Sequence, residues 1–324
     1  MIRPQQKLLK LLAAGIISAF LAFPLQVLGT SVSPDAVSAT PAATSQMNIF
    51  QSVVLGMVQG LTEFLPISSS AHLKVVPVAL HWGDPGVAFT GIIQLGSIAA
   101  VLWYFWSDLV QITMGVIKAI RTSDYESIEF RMALGIGLGT LPIIFFGLLI
   151  KKFIPDYDNS PLRSMTAIGC ASIFMGLLLG IAEQIGKRKR NLEQLTVQDG
   201  ILMGLAQAMA IIPGVSRSGS TITAGLFVGL ERATAARFSF LLGIPSITLA
   251  GLVELKDALG AGLGDAGMLS LIVGTISAAA FSYAAIAWLI RYLQTQNTWV
   301  FVWYRLAFGA AILGGIATGF LKNS

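Results

Sequence analysis

Seven stretches of this chain are apolar and nearly free of charge over the length a bilayer demands, about 20 residues. They lie at 11–29, 87–106, 132–150, 165–182, 238–253, 266–290 and 299–321. Two further segments, 49–80 and 198–230, are apolar but interrupted at the centre by proline and a run of hydroxyl residues. The halves on either side of each interruption are about 15 residues long, too short to cross. Each segment is therefore predicted to be a re-entrant helical hairpin whose tip stops inside the membrane. Irregular backbone at that depth must be buried in protein or line a wet cavity. The pattern predicts an all-α polytopic membrane protein: about six core transmembrane helices, two re-entrant hairpins and an extra N-terminal hydrophobic segment.

The hairpins resemble one another. Gly56–Gln59, Pro66 and Ser68–Ser70 are echoed by Gly204–Gln207, Pro213 and Ser216–Ser218, with a gap of one residue. Three spans follow each hairpin. An odd number of crossings per unit turns the second unit over, so the chain reads as an inverted repeat. In such a plan, familiar from transporters, a polar site is expected where the two tips face each other.

Composition narrows the class. Only 11% of the 324 residues are charged and 55% are hydrophobic, against about 25% charged in a soluble domain. A soluble globular enzyme is excluded. The net charge of +5 comes from short loops rather than a patterned basic face, so no nucleic-acid partner is expected. One cysteine, Cys170, allows no internal disulfide, and two histidines alone cannot complete a zinc site. The basic run Lys187–Arg190 is assigned to the cytoplasm. Counting spans from it puts the residues near 48 outside. Residues 1–46 pair a basic start and an apolar run with a small-residue linker, and read as a signal peptide or signal anchor. The remaining 47–324 form the membrane domain.

Ionisable groups inside a membrane are costly and mark function by default. The first tip carries Glu63 and His72, with Gln59 one helical turn before Glu63 and Ser68, Ser69 and Ser70 on the break. A hydroxyl, a carboxylate and an imidazole are the ingredients of phosphoryl transfer or water activation. The second tip reads Pro213-Gly214-Val215-Ser216-Arg217-Ser218-Gly219-Ser220-Thr221. Glycines admit an anion closely, and the helix that follows offers N–H groups. Ser216, Ser218 and Thr221 add hydroxyl donors. Arg217 supplies a planar fork matched to phosphate oxygens. Gln59, as a neutral amide, should orient a substrate oxygen or a water. Glu63 is the best candidate ligand for a divalent cation, Mg²⁺ or Ca²⁺. Glu63 and Arg217 also fit a buried structural ion pair. Arg305 reads as a snorkelling anchor beside the aromatic belt of Trp299, Trp303 and Tyr304. Glu183 and Glu254 read as interfacial.

Gln59-x-x-x-Glu63, the run Phe64–His72 and the motif Pro213–Thr221 together resemble the bacterial undecaprenyl-diphosphate phosphatases of the bacitracin-resistance family. The similarity runs from about residue 48 to the C-terminus. It implies an integral phosphatase of the bacterial inner membrane that removes the terminal phosphate of undecaprenyl diphosphate, with membrane lipids around it. A homodimer is one assembly it allows. By carry-over, Ser69 is the nucleophile, His72 a proton carrier or phosphate partner, and Glu63 a base or metal ligand. Arg217 joins them as a catalytic residue, and Gln59, Ser68, Ser216, Ser218 and Thr221 bind the diphosphate. Many members carry Glu where this chain has Gln59, which removes one carboxylate. The implied site opens toward the extracytoplasmic side.

Overall fold

Each hairpin starts with the same device. Asn48 accepts the Gln51 backbone N–H while the Gln51 side chain accepts that of Asn48, and Thr196 and Asp199 repeat this reciprocal cap. Such a cap satisfies two N–H groups that the first helical turn leaves open. From these starts the computed structural model describes residues 47–323, apart from 84, 155, 158, 159 and 262–266. The expected leader, residues 1–46, lies outside the described residues.

The first hairpin is α1 (Ile49–Phe64), a break, and α2 (Ser69–Ala79). Then follow α3 (Gly86–Tyr104), α4 (Trp106–Thr122), α5 (Ile128–Phe153) and α6 (Met165–Ile185). The second hairpin is α7 (Val197–Ala208), a 3₁₀ turn and break, and α8 (Arg217–Phe227). The chain ends with α9 (Arg232–Ala261), α10 (Met268–Thr295) and α11 (Trp299–Ala317). Both interruptions thus fall where proline and serine predict them. Among the described residues, five helices are long and apolar enough to cross a membrane, or six if α3 and α4, bent by 63°, count as one span.

The two units exchange partners. α1 packs on α10, α7 on α5, and α6 on α11. Glycine lets the first two contacts close: a Cβ at Gly56 would lie 2.3 Å from the Gly274 carbonyl oxygen, and one at Gly204 would lie 2.0 Å from that of Gly139. Small residues let helix backbones approach this closely in lipid. The hairpins enter from opposite ends of the bundle. Met47 accepts a bond from Ser270 at the start of α10, and Val78 packs beside Met165 at the start of α6. At the far end, Asp199 and the Val228 carbonyl are both held by Arg190 of the basic loop.

Two expectations change. The span expected at 87–106 bends at Phe105 into α4, an element the run lengths do not predict. Its exposed Trp106, Val110, Met114, Ile117 and Ile120 form one apolar stripe, opposite Asp108. That is the pattern of a helix lying in a membrane interface. Glu183, expected at the interface, is instead buried, paired with Arg232 and Arg188 and bonded by Thr298 Oγ1 at 2.8 Å.

Candidate active site

The two breaks share one conformation. Ser68 has φ +78° and Ser216 φ +71°, a region L-residues avoid at about 1–3 kcal/mol. In each, the serine Oγ lies 3.2 Å from that of the serine two residues on, Ser70 and Ser218. Each turn reverses the chain so that a helix begins at the tip, α2 at Ser69 and α8 at Arg217. Ser218 Oγ donates to the Leu65 carbonyl at 2.9 Å, tying the second tip to the first break.

Arg305 holds both breaks from α11. It is 1% exposed. Its Nη1 donates to Pro66 O at 3.0 Å, and its Nη2 to Gly214 O at 2.6 Å and Val215 O at 3.0 Å. Its Nε donates to Ser172 O at 3.2 Å. The snorkelling reading of Arg305 is thereby corrected. The guanidinium does not reach for water; its two Nη groups bond carbonyls at the breaks, Pro66, Gly214 and Val215, and its Nε bonds one inside α6.

Glu63 is the hub where the tips meet. Arg217 Nη2 donates to its Oε1 at 3.0 Å, with each side chain only 9% exposed. Ser69 Oγ donates to Oε2 at 2.7 Å, and Gln59 Nε2 donates to the same oxygen at 3.2 Å. Gln59 Nε2 also lies 3.4 Å from Ser97 Oγ, which Ser282 bonds in turn. The Arg217 guanidinium lies over the Phe64 ring, 5.9 Å from its centroid. Four of the expected residues are therefore brought together: Gln59, Glu63, Ser69 and Arg217.

The others stand elsewhere. Gln59 is buried, and its amide N–H is turned onto Glu63. Ser68 is buried against Ser70, and Ser70 is the exposed member of the run. Ser216 caps the Gly219 N–H at 3.1 Å. Thr221 Oγ1 lies 2.8 Å from Arg217 O and 2.5 Å from Ser239 Oγ. Ser216, Ser218 and Thr221 are thus engaged inside the protein, holding the turn that presents Arg217. His72 lies on another wall, between Ser68 O and the Tyr304 hydroxyl. Tyr304 and Arg305 are the residues that sequence reasoning passed over.

Comparison with known proteins adds a second line. The family model for bacitracin resistance protein BacA matches residues 52–311. This chain belongs to the bacitracin resistance protein family. It is 67% identical over 302 residues to a protein of Trichormus variabilis named undecaprenyl-diphosphatase, covering 93% of each chain. A Trichodesmium erythraeum protein of the same name is 61% identical over 98% of this chain and 100% of its own. One from Synechocystis is 60% identical over 95% of this chain and 92% of its own. The bacitracin-resistance match spans both hairpins and every residue gathered at Glu63.

Glu63 is the carboxylate that the protein offers at the site for a divalent cation. Both carboxylate oxygens already accept N–H or O–H donors, one of them from a guanidinium. No group of three or more His, Cys, Asp or Glu side chains that could hold a metal occurs among the described residues. Mg²⁺ is commonly held by one or two carboxylates together with water and substrate phosphates, so Glu63 would hold such an ion only in company with the diphosphate.

Proposed function

We propose that this chain hydrolyses undecaprenyl diphosphate to undecaprenyl phosphate and inorganic phosphate, which recycles the lipid carrier for peptidoglycan synthesis and confers bacitracin resistance. The observation that carries the reading is one carboxylate receiving a serine hydroxyl from its own hairpin and a guanidinium from the other. That is a base with its nucleophile beside a cation suited to phosphate. An inverted frame alone would also suit a transporter, but binding an anion needs no serine bonded to a carboxylate.

The chemistry follows from the contacts. Ser69 Oγ attacks the terminal phosphorus, and its proton passes to Glu63 Oε2. The bond from that phosphorus to the bridging oxygen breaks, Glu63 passes its proton to that oxygen, and undecaprenyl phosphate leaves with both. Water then attacks the phosphoserine, giving a proton to the restored Glu63 carboxylate, and inorganic phosphate leaves as Ser69 Oγ regains its proton. Arg217 offsets the charge gathering on the phosphoryl oxygens, the main requirement of phosphoryl transfer. The N-termini of α2 and α8 converge on the same place and favour an anion there. No step is routed through a divalent cation; one arriving on the diphosphate would meet Glu63 as its protein carboxylate. Both halves of the site come from one chain, so hydrolysis requires no second copy.

The location suits the substrate. Extracting its tail into water would cost ~0.8 kcal/mol per CH₂, whereas a site inside the membrane leaves it in lipid. We put the opening on the extracytoplasmic face of the bacterial inner membrane. The hairpin bearing Glu63, Ser69 and His72 starts and ends away from the Lys187–Arg190 loop, which the positive-inside rule assigns to the cytoplasm.

The test is phosphate release from an isoprenyl diphosphate by purified protein in detergent, together with trapping of ³²P on Ser69. Ser69→Ala and Arg217→Ala should both abolish turnover. Full rate in both variants would overturn the site. Loss in Arg217→Ala alone, with no label on Ser69, would replace serine attack by direct attack of water.

A further inference from the structure

Both ring nitrogens of His72 are committed. Nδ1 lies 2.7 Å from the Ser68 carbonyl oxygen. A carbonyl only accepts, so Nδ1 carries a proton in either charge state of the ring. Nε2 lies 2.6 Å from the Tyr304 hydroxyl. Phe308 stacks on the imidazole with centroids 4.2 Å apart and planes 4° apart, and the Tyr304 ring lies nearly parallel to both. His72 is 5% exposed, whereas Tyr304 is 42% exposed. Among the described residues, His72 hydrogen-bonds to neither Ser69 nor Glu63. Its one basic lone pair, on Nε2, faces a phenol from α11.

We propose that Tyr304 relays protons between His72 and the diphosphate site. In the neutral state the phenol O–H donates to Nε2. When the phenol oxygen takes a proton from the site, its own proton passes to Nε2. The imidazolium so formed donates from Nδ1 to Ser68 and from Nε2 to Tyr304. The reverse transfer returns the proton. The bond also fixes the tautomer and the ring plane, as the partner of a catalytic histidine generally does. The proposal rests on the phosphatase reading above and adds to it a residue outside both tip motifs.

Tyr304→Phe keeps the ring and its stack and removes one oxygen. Its kcat should fall about tenfold to a hundredfold, in the range of a lost proton-transfer partner, with KM within about twofold. The double variant with His72→Gln should be no slower than His72→Gln alone, because the two residues form one relay. A spectroscopic readout needs no activity. The chain has only two histidines, so ¹⁵N-histidine labelling leaves His81 as the internal reference. Tyr304→Phe should move the Nε2 resonance of His72 and leave both nitrogens of His81 in place. Full kcat in Tyr304→Phe beside a slow His72→Gln overturns the proposal, as do additive losses in the double variant or an unmoved Nε2 resonance. Full kcat in His72→Gln also overturns it and removes His72 from the phosphatase reading, while leaving Ser69 and Arg217 to be judged by their own variants.

Discussion

Gln59 places a neutral amide against the Glu63 carboxylate, and that contact fixes what replacing it should do. Its Nε2 gives Glu63 Oε2 a hydrogen bond at 3.2 Å. Gln59→Leu deletes that donor. A hydrogen bond to a charged partner is worth about 1.5–3 kcal/mol. If that energy serves to aim the carboxylate at Ser69, its loss appears in turnover as roughly tenfold to a hundredfold in kcat. Gln59→Glu asks a different question. Two ionised carboxylates at that separation repel by about 5 kcal/mol at an effective dielectric of 20. The variant escapes by retaining one proton, and that O–H can donate to Glu63 where the amide does. Gln59→Glu should therefore keep wild-type turnover within a few-fold, and Gln59→Leu should not. The assay is steady-state phosphate release from an isoprenyl diphosphate in detergent, with KM expected to change by less than threefold in either variant. Wild-type kcat in Gln59→Leu would refute the orienting role. An inactive Gln59→Glu would refute the shared-proton argument and show that the neutral amide is required.

Two further variants test the frame. Arg305→Lys leaves three donors for the four carbonyls that Arg305 serves, and each buried carbonyl left open costs about 1–3 kcal/mol; melting temperature in detergent should fall together with turnover, and an unchanged variant would show that the clamp is dispensable. Gly204→Val sets a side chain against the Gly139 carbonyl oxygen, which a Cβ alone would approach to 2.0 Å. Overpacking of that kind costs about 1–3 kcal/mol, so the protein should melt earlier and give less monodisperse material on size exclusion, whereas equal stability would mean that α5 and α7 separate freely.

The spans were legible because a bilayer sets run length, and the hairpins because Pro66 and Pro213 cut apolar segments at serine-rich points. Glu63 and Arg217 stood out since a charge in lipid needs a reason. What remained hidden shares one property. Arg305 bonds to carbonyl oxygens of two distant breaks, and a carbonyl leaves no mark in a sequence. Beside Trp303 and Tyr304, an arginine at a span start has the appearance of a belt anchor. Tyr304 was masked by the same belt. Hydroxyl residues raise a related ambiguity. Ser218 and Thr221 have the same letters whether they face a ligand or brace a turn, and here both brace the turn behind Arg217. The helix α4 escaped notice because its apolar positions form a stripe rather than a run.

The repeat explains how a symmetric frame yields an asymmetric reaction. The offset that carries Gln59 to Gln207 also carries Ser68 to Ser216 and Ser69 to Arg217. Each of these last two is the first residue of its helix after a serine in the left-handed region. The frame thus aims two equivalent positions at Glu63, and the sequence fills one with a hydroxyl and the other with a guanidinium. Both bond to Glu63. Glu63 itself falls on Ile211 in the second unit, so one carboxylate serves both. A second carboxylate at 211 would compete for Arg217 and put two negative groups where a diphosphate must bind. The single carboxylate leaves a net positive contribution from the second tip, which is the charge an anionic substrate requires. In the proposed mechanism, nucleophile and phosphate clamp therefore come from one structural position used twice, and the chemistry lies in how the two copies differ.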